Sequence, residues 1–390
     1  MVNKKYINTK ELAELTGRPY DEILNLARTG VLPCHRTRRG HYRLNVDAVE
    51  KYFGVQVNKP KEDMNEKSDD LTITEFRNIC REQQGMFREM IGEPMGVGPR
   101  RNSSKKQISM LANGEKTGKN FVNKYSFNYA KSRVKNMQAH ETIDEYRLFN
   151  NMLSSQPMAF NLFCPFIQML ENGKADVVTR VFKAIFPDKF IGEVTEVGLE
   201  YLHTDIKNYL NDCTAMDAIV RYKDTDGKPA FIAIETKYTD VLGENTSNKD
   251  RAQDKYREWI KRIGMFKPDT EAELIRSAKA AKTAKDSKEL KQILKGMKVV
   301  TKIYRNFLLT ECYGIVENAN RCYSVVLAPA QHPTTEKEVA SLRDELKPEY
   351  HYKISAVSLE DFVKIALNTC PKGDKYPFWY FRERYLSYFT

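Results

Sequence analysis

Asp217, Glu235 and Lys237 are the residues whose types and spacing could do chemistry together. Glu235 and Lys237 sit two positions apart in the apolar run FIAIETKYTD, residues 231–240. In a strand, residues i and i+2 project from one face, so the carboxylate and the ammonium point together. Asp217 lies in an upstream run of strand character, AMDAIVRY, and the intervening Asp226-Gly227 is a strong hairpin signal. A hairpin there brings Asp217 alongside Glu235. Two carboxylates converging at a sheet edge suit a hard divalent cation such as Mg2+, with Mn2+ as a substitute. A neighbouring lysine orients water or offsets charge on a phosphorane-like transition state, which is what phosphodiester hydrolysis needs. The spacing alone is not distinctive. It recurs at Asp226/Lys228, Glu289/Lys291 and Glu345/Lys347, where no strand context surrounds it. The plain alternative for Glu235 and Lys237 is an ion pair closing the end of a buried strand.

The elements that must position these residues alternate in type. ADVVTRVFKAIF (175–186) has the spacing of an amphipathic helix. Strands are expected over 193–202, 215–222 and 230–239, a helix over 250–266, a lysine-rich helical stretch over 279–298 and a strand over 321–329. The expected class is α/β, with the order helix, three strands, helix, strand. Residues 138–155 read as helical, and 138–390 as one domain. Residues 73–137 read as a helical and basic connecting region, and 55–72 as a charged linker with almost nothing to bury.

Residues 1–54 form a separate small unit. INTKELAELTG and YDEILNLARTG are two short helical patterns, capped by Asn8 or Thr9 and stopped at Gly17 and Gly30. A hairpin turning near Arg39-Gly40 and a third helix follow. Gly30, Leu32 and Pro33, leading into RTRRGHYR, resemble the excisionase and MerR-like winged helix-turn-helix family. That resemblance implies contacts to duplex DNA from Arg28, Arg36, Arg38, Arg39, His41 and Arg43.

Over residues 150–390 the chain resembles the PD-(D/E)XK nuclease superfamily, in a bacterial restriction-endonuclease-like branch. The carrying motifs are SSQPMAFNLF (154–163), LEYLHTD ahead of NDCTAMDAIV, IAIETKYTD and the closing WYFRERYL (379–386). The resemblance implies an αβββαβ core with a mixed central sheet. It also implies Asp217 and Glu235 as metal ligands, Lys237 as the catalytic lysine and Glu200 as a further acid near the metal. Glu193, Glu196 and Glu145 remain open as alternatives to Glu200. Gln156 either faces the scissile strand or ends a helix before Pro157. Gln253 and Tyr256 are candidates for phosphate contact. The chain departs from the pattern at Asn211, where the family tends to Gly, and at Met216, which replaces an aromatic residue.

Composition sets the outer limits. The 390 residues carry 63 Lys and Arg against 52 Asp and Glu, a net charge of +11 that favours a polyanionic partner. Without an 18-residue apolar run, no membrane span is expected. Without an apolar segment near the N-terminus, no signal peptide is expected, and seven scattered cysteines fit a reducing, cytoplasmic setting. The six histidines offer no metal-ligand spacing; His203 is the one near Glu200. Together these features imply a Mg2+-dependent DNA endonuclease, with restriction or phage defence as the setting the family suggests and a homodimer as one way to cut both strands. The alternative from another class is a DNA-binding regulator or recombination accessory with a non-catalytic nuclease-like domain. An RNA-directed nuclease is disfavoured because the deep groove of A-form RNA does not admit a recognition helix.

Overall fold

A computed structural model describes residues 6–29, 31–36, 42–54, 57, 71–138, 140, 141, 143–211, 213–240, 255–283 and 285–387. The chain divides into two compact units, Met1–Asp70 and Leu71–Thr390. Arg38, Arg39, His41, Asp212, Gln253 and most of the expected linker fall outside the described residues.

The first unit is built from β1 (Tyr6–Asn8), α1 (Thr9–Thr16), α2 (Tyr20–Arg28), β2 (Cys34–Arg36), β3 (Tyr42–Asn45) and α3 (Val46–Phe53). Asn8 and Glu11 close a reciprocal capping box over the start of α1, and Gly17 ends it at φ 66°. Three antiparallel strands in the order β1-β3-β2 pack Ile7 and Leu44 against Leu12, Ile23 and Val49. Arg28 is exposed on the last turn of α2, and His35 lies opposite Arg43 across β2 and β3.

The second unit begins with α4 (Ile73–Met90), the hairpin β4 (Met95–Val97) and β5 (Lys106–Leu111), then α5 (Gly114–Thr117) and α6 (Lys124–Lys135). α7 (Glu145–Asn150), α8 (Ser155–Glu171) and α9 (Ala175–Ile185) lead to β6 (Ile191–Tyr201), β7 (Met216–Asp224) and β8 (Pro229–Thr236). Next come α10 (Lys255–Ile263), α11 (Pro268–Thr283), α12 (Ser287–Ile293) and α13 (Lys302–Val316). The chain closes with β9 (Arg321–Ala328), α14 (Thr335–Glu345), β10 (Ile354–Ser358), α15 (Leu359–Thr369) and α16 (Tyr376–Tyr385). The five-stranded sheet has the order β10-β9-β8-β7-β6, parallel among the first three strands and antiparallel among the last three. This is the mixed sheet that the nuclease resemblance implies. Among the described residues no helix is long and apolar enough to cross a membrane.

Central β8 is buried on both faces. Ala230, Ile232 and Ile234 face a core with Phe160, Phe166 and Phe182, whereas Phe231 and Ala233 face one with Tyr256, Ile260 and Phe307. Four sequence expectations are corrected. The helical reading of 138–155 gives way to the short α7 and a separate α8 that starts at Ser155, with Ser154 as its cap. Pro157 therefore stands in the first turn of a helix, where its missing N–H costs nothing, and Gln156 opens the helix instead of ending one. The lysine-rich stretch is not one helix: α11 stops at Thr283, and α12 is a separate element starting at Ser287. Tyr256 is fully buried in the second core and so cannot contact a phosphate. The segment read as connecting, 73–137, packs into this same unit, with Phe76, Cys80, Phe121 and Ala130 in the first core.

Candidate active site

The strand register assembles the acids. β6 pairs Leu199 with Ala218 and Tyr201 with Met216, so Glu200 lies opposite Asp217. β7 pairs Ala218 with Ile234, and the next step sets Asp217 opposite Glu235. Three carboxylates thus stand abreast on three adjacent strands. Glu193 and Glu196 pair instead with Lys223 and Arg221 at 3.2 and 3.6 Å, and Glu145 is exposed on α7. Glu200 holds φ 48°, a left-handed backbone that costs energy for a side chain of this kind and turns the end of β6. Asn211 has φ 51°, so the departure from Gly keeps a residue that tolerates this conformation. Met216 fills the second core beside Asp217.

Each acid is held differently. Thr236 donates both its backbone N–H and its hydroxyl to Asp217 Oδ2, at 2.7 and 2.9 Å. Glu200 Oε1 accepts from Gln156 Nε2 at 3.0 Å. Glu235 Oε1 bonds Lys237 and lies 3.0 Å from Lys302 Nζ, while Glu235 Oε2 accepts from Asn306 Nδ2 at 2.6 Å. Burial and the Asp217 carboxylate opposite push Glu200 up to about 8. Burial and Glu235 push Asp217 up to about 6. Burial also acts to raise Glu235, but the ammoniums of Lys237 and Lys302 outweigh it and hold the acid down at about 2. For Lys237, burial favours the neutral amine, yet Glu235 and Asp217 prevail and keep it protonated well above the usual lysine range.

The segment after β8 is pinned on several sides. Lys237 N donates to Leu327 O at 2.7 Å, which extends the ladder with β9. Gln84 Nε2 reaches the Tyr238 hydroxyl at 3.1 Å, Arg77 donates to Thr239 O at 3.0 Å, and His332 Nε2 lies 3.0 Å from Asp240 O. Burial drives His332 down to about 4, so near neutrality it is an uncharged hydrogen-bonding strut. His203 serves its own loop: its ring accepts from Asp205 N at 3.0 Å and packs on the Tyr209 ring with centroids 4.6 Å apart. Lys302, Asn306 and His332 carried no sequence signal, because each sits on a helix or loop far along the chain from the strand it serves.

The donor set suits a hard cation. Asp217 Oδ1 and Glu200 Oε2 accept nothing among the described residues, and the two facing acids resist ionising together. A divalent ion bound by oxygen ligands would relieve that repulsion. With both Glu235 oxygens engaged by Lys237, Lys302 and Asn306, however, no three acidic, His or Cys side chains among the described residues close around one ion position.

A family model described as PD-(D/E)XK nuclease superfamily matches residues 68–387. No curated protein and no solved structure gives a significant match. The matched span begins three residues before the second compact unit and includes α4 to α6 as well as the sheet. The chain belongs to the PD-(D/E)XK nuclease superfamily.

Proposed function

We propose that this chain is a divalent-metal-dependent endonuclease of duplex DNA, with Mg2+ or Mn2+ as the ion. We further propose that the first unit is a winged helix-turn-helix that tethers the enzyme to its substrate. Restriction or phage defence in the cytoplasm is the setting we favour. The observation that carries the reading is the alignment of Glu200, Asp217 and Glu235 on three strands with Lys237 bonded to the third.

Asp217, Glu235 and Glu200 would hold the ion, which when bound polarises the phosphoryl oxygen and lowers the pKa of an attacking water. Lys237 remains an ammonium beside two carboxylates, so its part is to hold the water and offset charge on the phosphorus oxygens, not to remove a proton. Thr236 fixes Asp217, Asn306 fixes Glu235 and Gln156 fixes Glu200, which keeps the acids in place before substrate arrives. In the hydrolysis the water oxygen forms a bond to phosphorus, one ester P–O bond breaks, and the departing oxygen takes up a proton.

The test is digestion of methylated and unmethylated plasmid with Mg2+ or Mn2+, with EDTA as control, followed by sequencing of the ends. Nicking that needs the ion and disappears in Asp217→Asn and Lys237→Ala is the expected result. No cleavage of any DNA would return the chain to the DNA-binding regulator.

A further inference from the structure

We infer that Lys302, the first residue of α13, is a second cation of this site and the one that meets the phosphodiester backbone. The inference rests on the nuclease reading and extends it to a residue 65 positions beyond Lys237 in the chain.

Glu235 is shared by two ammoniums, and they differ in reach. The Lys237 side chain is 1% exposed and closed in under the sheet edge, whereas that of Lys302 is 32% exposed. An incoming phosphate oxygen therefore meets Lys302 first. The rest of the helix turn supports an anion at this place. Thr301 gives α13 no side-chain cap, so the positive end of a 15-residue helix keeps its first amides without a side-chain acceptor. Arg305 is the i+3 neighbour of Lys302 on the helix surface. It forms no ion pair among the described residues, and its buried Nε donates to nothing. A guanidinium left without a carboxylate beside a shared lysine is the arrangement expected of a surface that awaits an anionic partner. Asn306, one turn beyond Lys302, donates to Glu235 Oε2 and so ties this turn to the acid. Lys302 would hold the scissile strand's phosphate, while buried Lys237 serves the water.

The experiment uses the full chain carrying Asp217→Asn, in EDTA, with a labelled DNA duplex titrated across a series of NaCl concentrations. Lys302→Met, which keeps the aliphatic stem, should weaken binding about tenfold at low salt and reduce the salt slope by about one. Lys302→Arg should restore both. In the chain with Asp217 restored, Lys302→Met should raise KM for plasmid more than it lowers kcat. Unchanged affinity and salt slope in Lys302→Met, with its melting temperature intact, would overturn the assignment. A chain with Asp217 restored that binds duplex in Mg2+ or Mn2+ without ever cutting it overturns the nuclease reading and leaves the Lys302 comparison decisive. A parent that binds no duplex overturns both.

Discussion

Gln156 donates its side-chain amide to Glu200 at 3.0 Å, joining the first turn of α8 to the end of β6. This bond favours the ionised acid, while burial and Asp217 favour the protonated one and win, placing Glu200 at about 8 against an ordinary 4.5. An acid raised in the folded state stabilises the fold fully below its unfolded pKa, and that contribution is lost as pH rises through the folded value. Without metal, wild type should therefore lose stability relative to Glu200→Gln between pH 4.5 and about 8, by up to a few kcal/mol. Gln156→Leu should extend the loss to higher pH, since the bond that helps ionisation is gone. Melting temperatures of the three proteins in EDTA across this range provide the check. Parallel profiles for wild type and Glu200→Gln would mean that Glu200 does not face Asp217 as described.

Asp217 and Glu235 should respond oppositely to loss of charge. Asp217→Asn removes a carboxylate that repels both neighbours, so the metal-free protein should melt at or above the wild-type temperature. The same change should abolish the stabilisation that Mg2+ or Mn2+ gives by binding the folded state. Glu235→Gln strands buried Lys237 without its principal partner and should cost about 3–5 kcal/mol. Scanning calorimetry with and without ion separates the two. A destabilised Asp217→Asn beside an unaffected Glu235→Gln would reverse the assignment of charge within the site.

Much of this site was legible in sequence because strand registers are local. Asp217 and Glu235 flank one hairpin, whose turn is marked by Asp226 and by Gly227 at φ 76°, and period-two alternation fixes which side chains share a face. Glu200 was found only through family resemblance, since its left-handed backbone breaks that alternation. Lys302 and Asn306 were not legible: a lysine and an asparagine four apart at a helix start look like any solvated turn. Parallel pairing of β9 with β10 has no local signature either, because helix α14 separates the two strands. The lysine-rich stretch misled because the composition of 279–298 suits one long helix, while Asp286 caps a new helix within it.

Arg384, in the closing motif WYFRERYL, is fully buried with no carboxylate partner among the described residues. Its guanidinium donates to Gln84 Oε1 and to both the backbone and side-chain oxygens of Asn120, and lies 4.6 Å from the centre of the Tyr385 ring. Its own carbonyl accepts from Gln83 and Gln84, and Gln84 also holds the Tyr238 hydroxyl next to Lys237. Arg384→Leu leaves the buried Gln84 Oε1 and Asn120 Oδ1 without a donor, while Asn120 O keeps Asn161 Nδ2, and should cost about 3 kcal/mol or more in urea unfolding. Arg384→Lys should recover only part of that, because one ammonium lacks the planar fork that reaches both Asn120 oxygens. Full recovery with lysine would show that charge alone, and not the forked geometry, ties α16 to α4.

Behind β9, Lys353 is buried against Glu311 at 2.9 Å, and its ammonium also contacts Cys322 O at 3.2 Å and Cys322 Sγ at 3.3 Å. Burial raises Glu311 and acts to lower Lys353, but the pair's mutual attraction keeps Lys353 above its ordinary range. Removing either partner alone leaves a desolvated charge, so Glu311→Leu and Lys353→Met should each cost about 3–5 kcal/mol. The double variant exchanges two desolvated charges for apolar side chains and should fall close to wild type. A double-mutant cycle in urea therefore predicts a coupling nearly as large as the two single losses together. Additive losses would place both side chains in contact with water, and Cys322, now pushed up to about 12 by burial and Glu311, would then react readily with a thiol reagent.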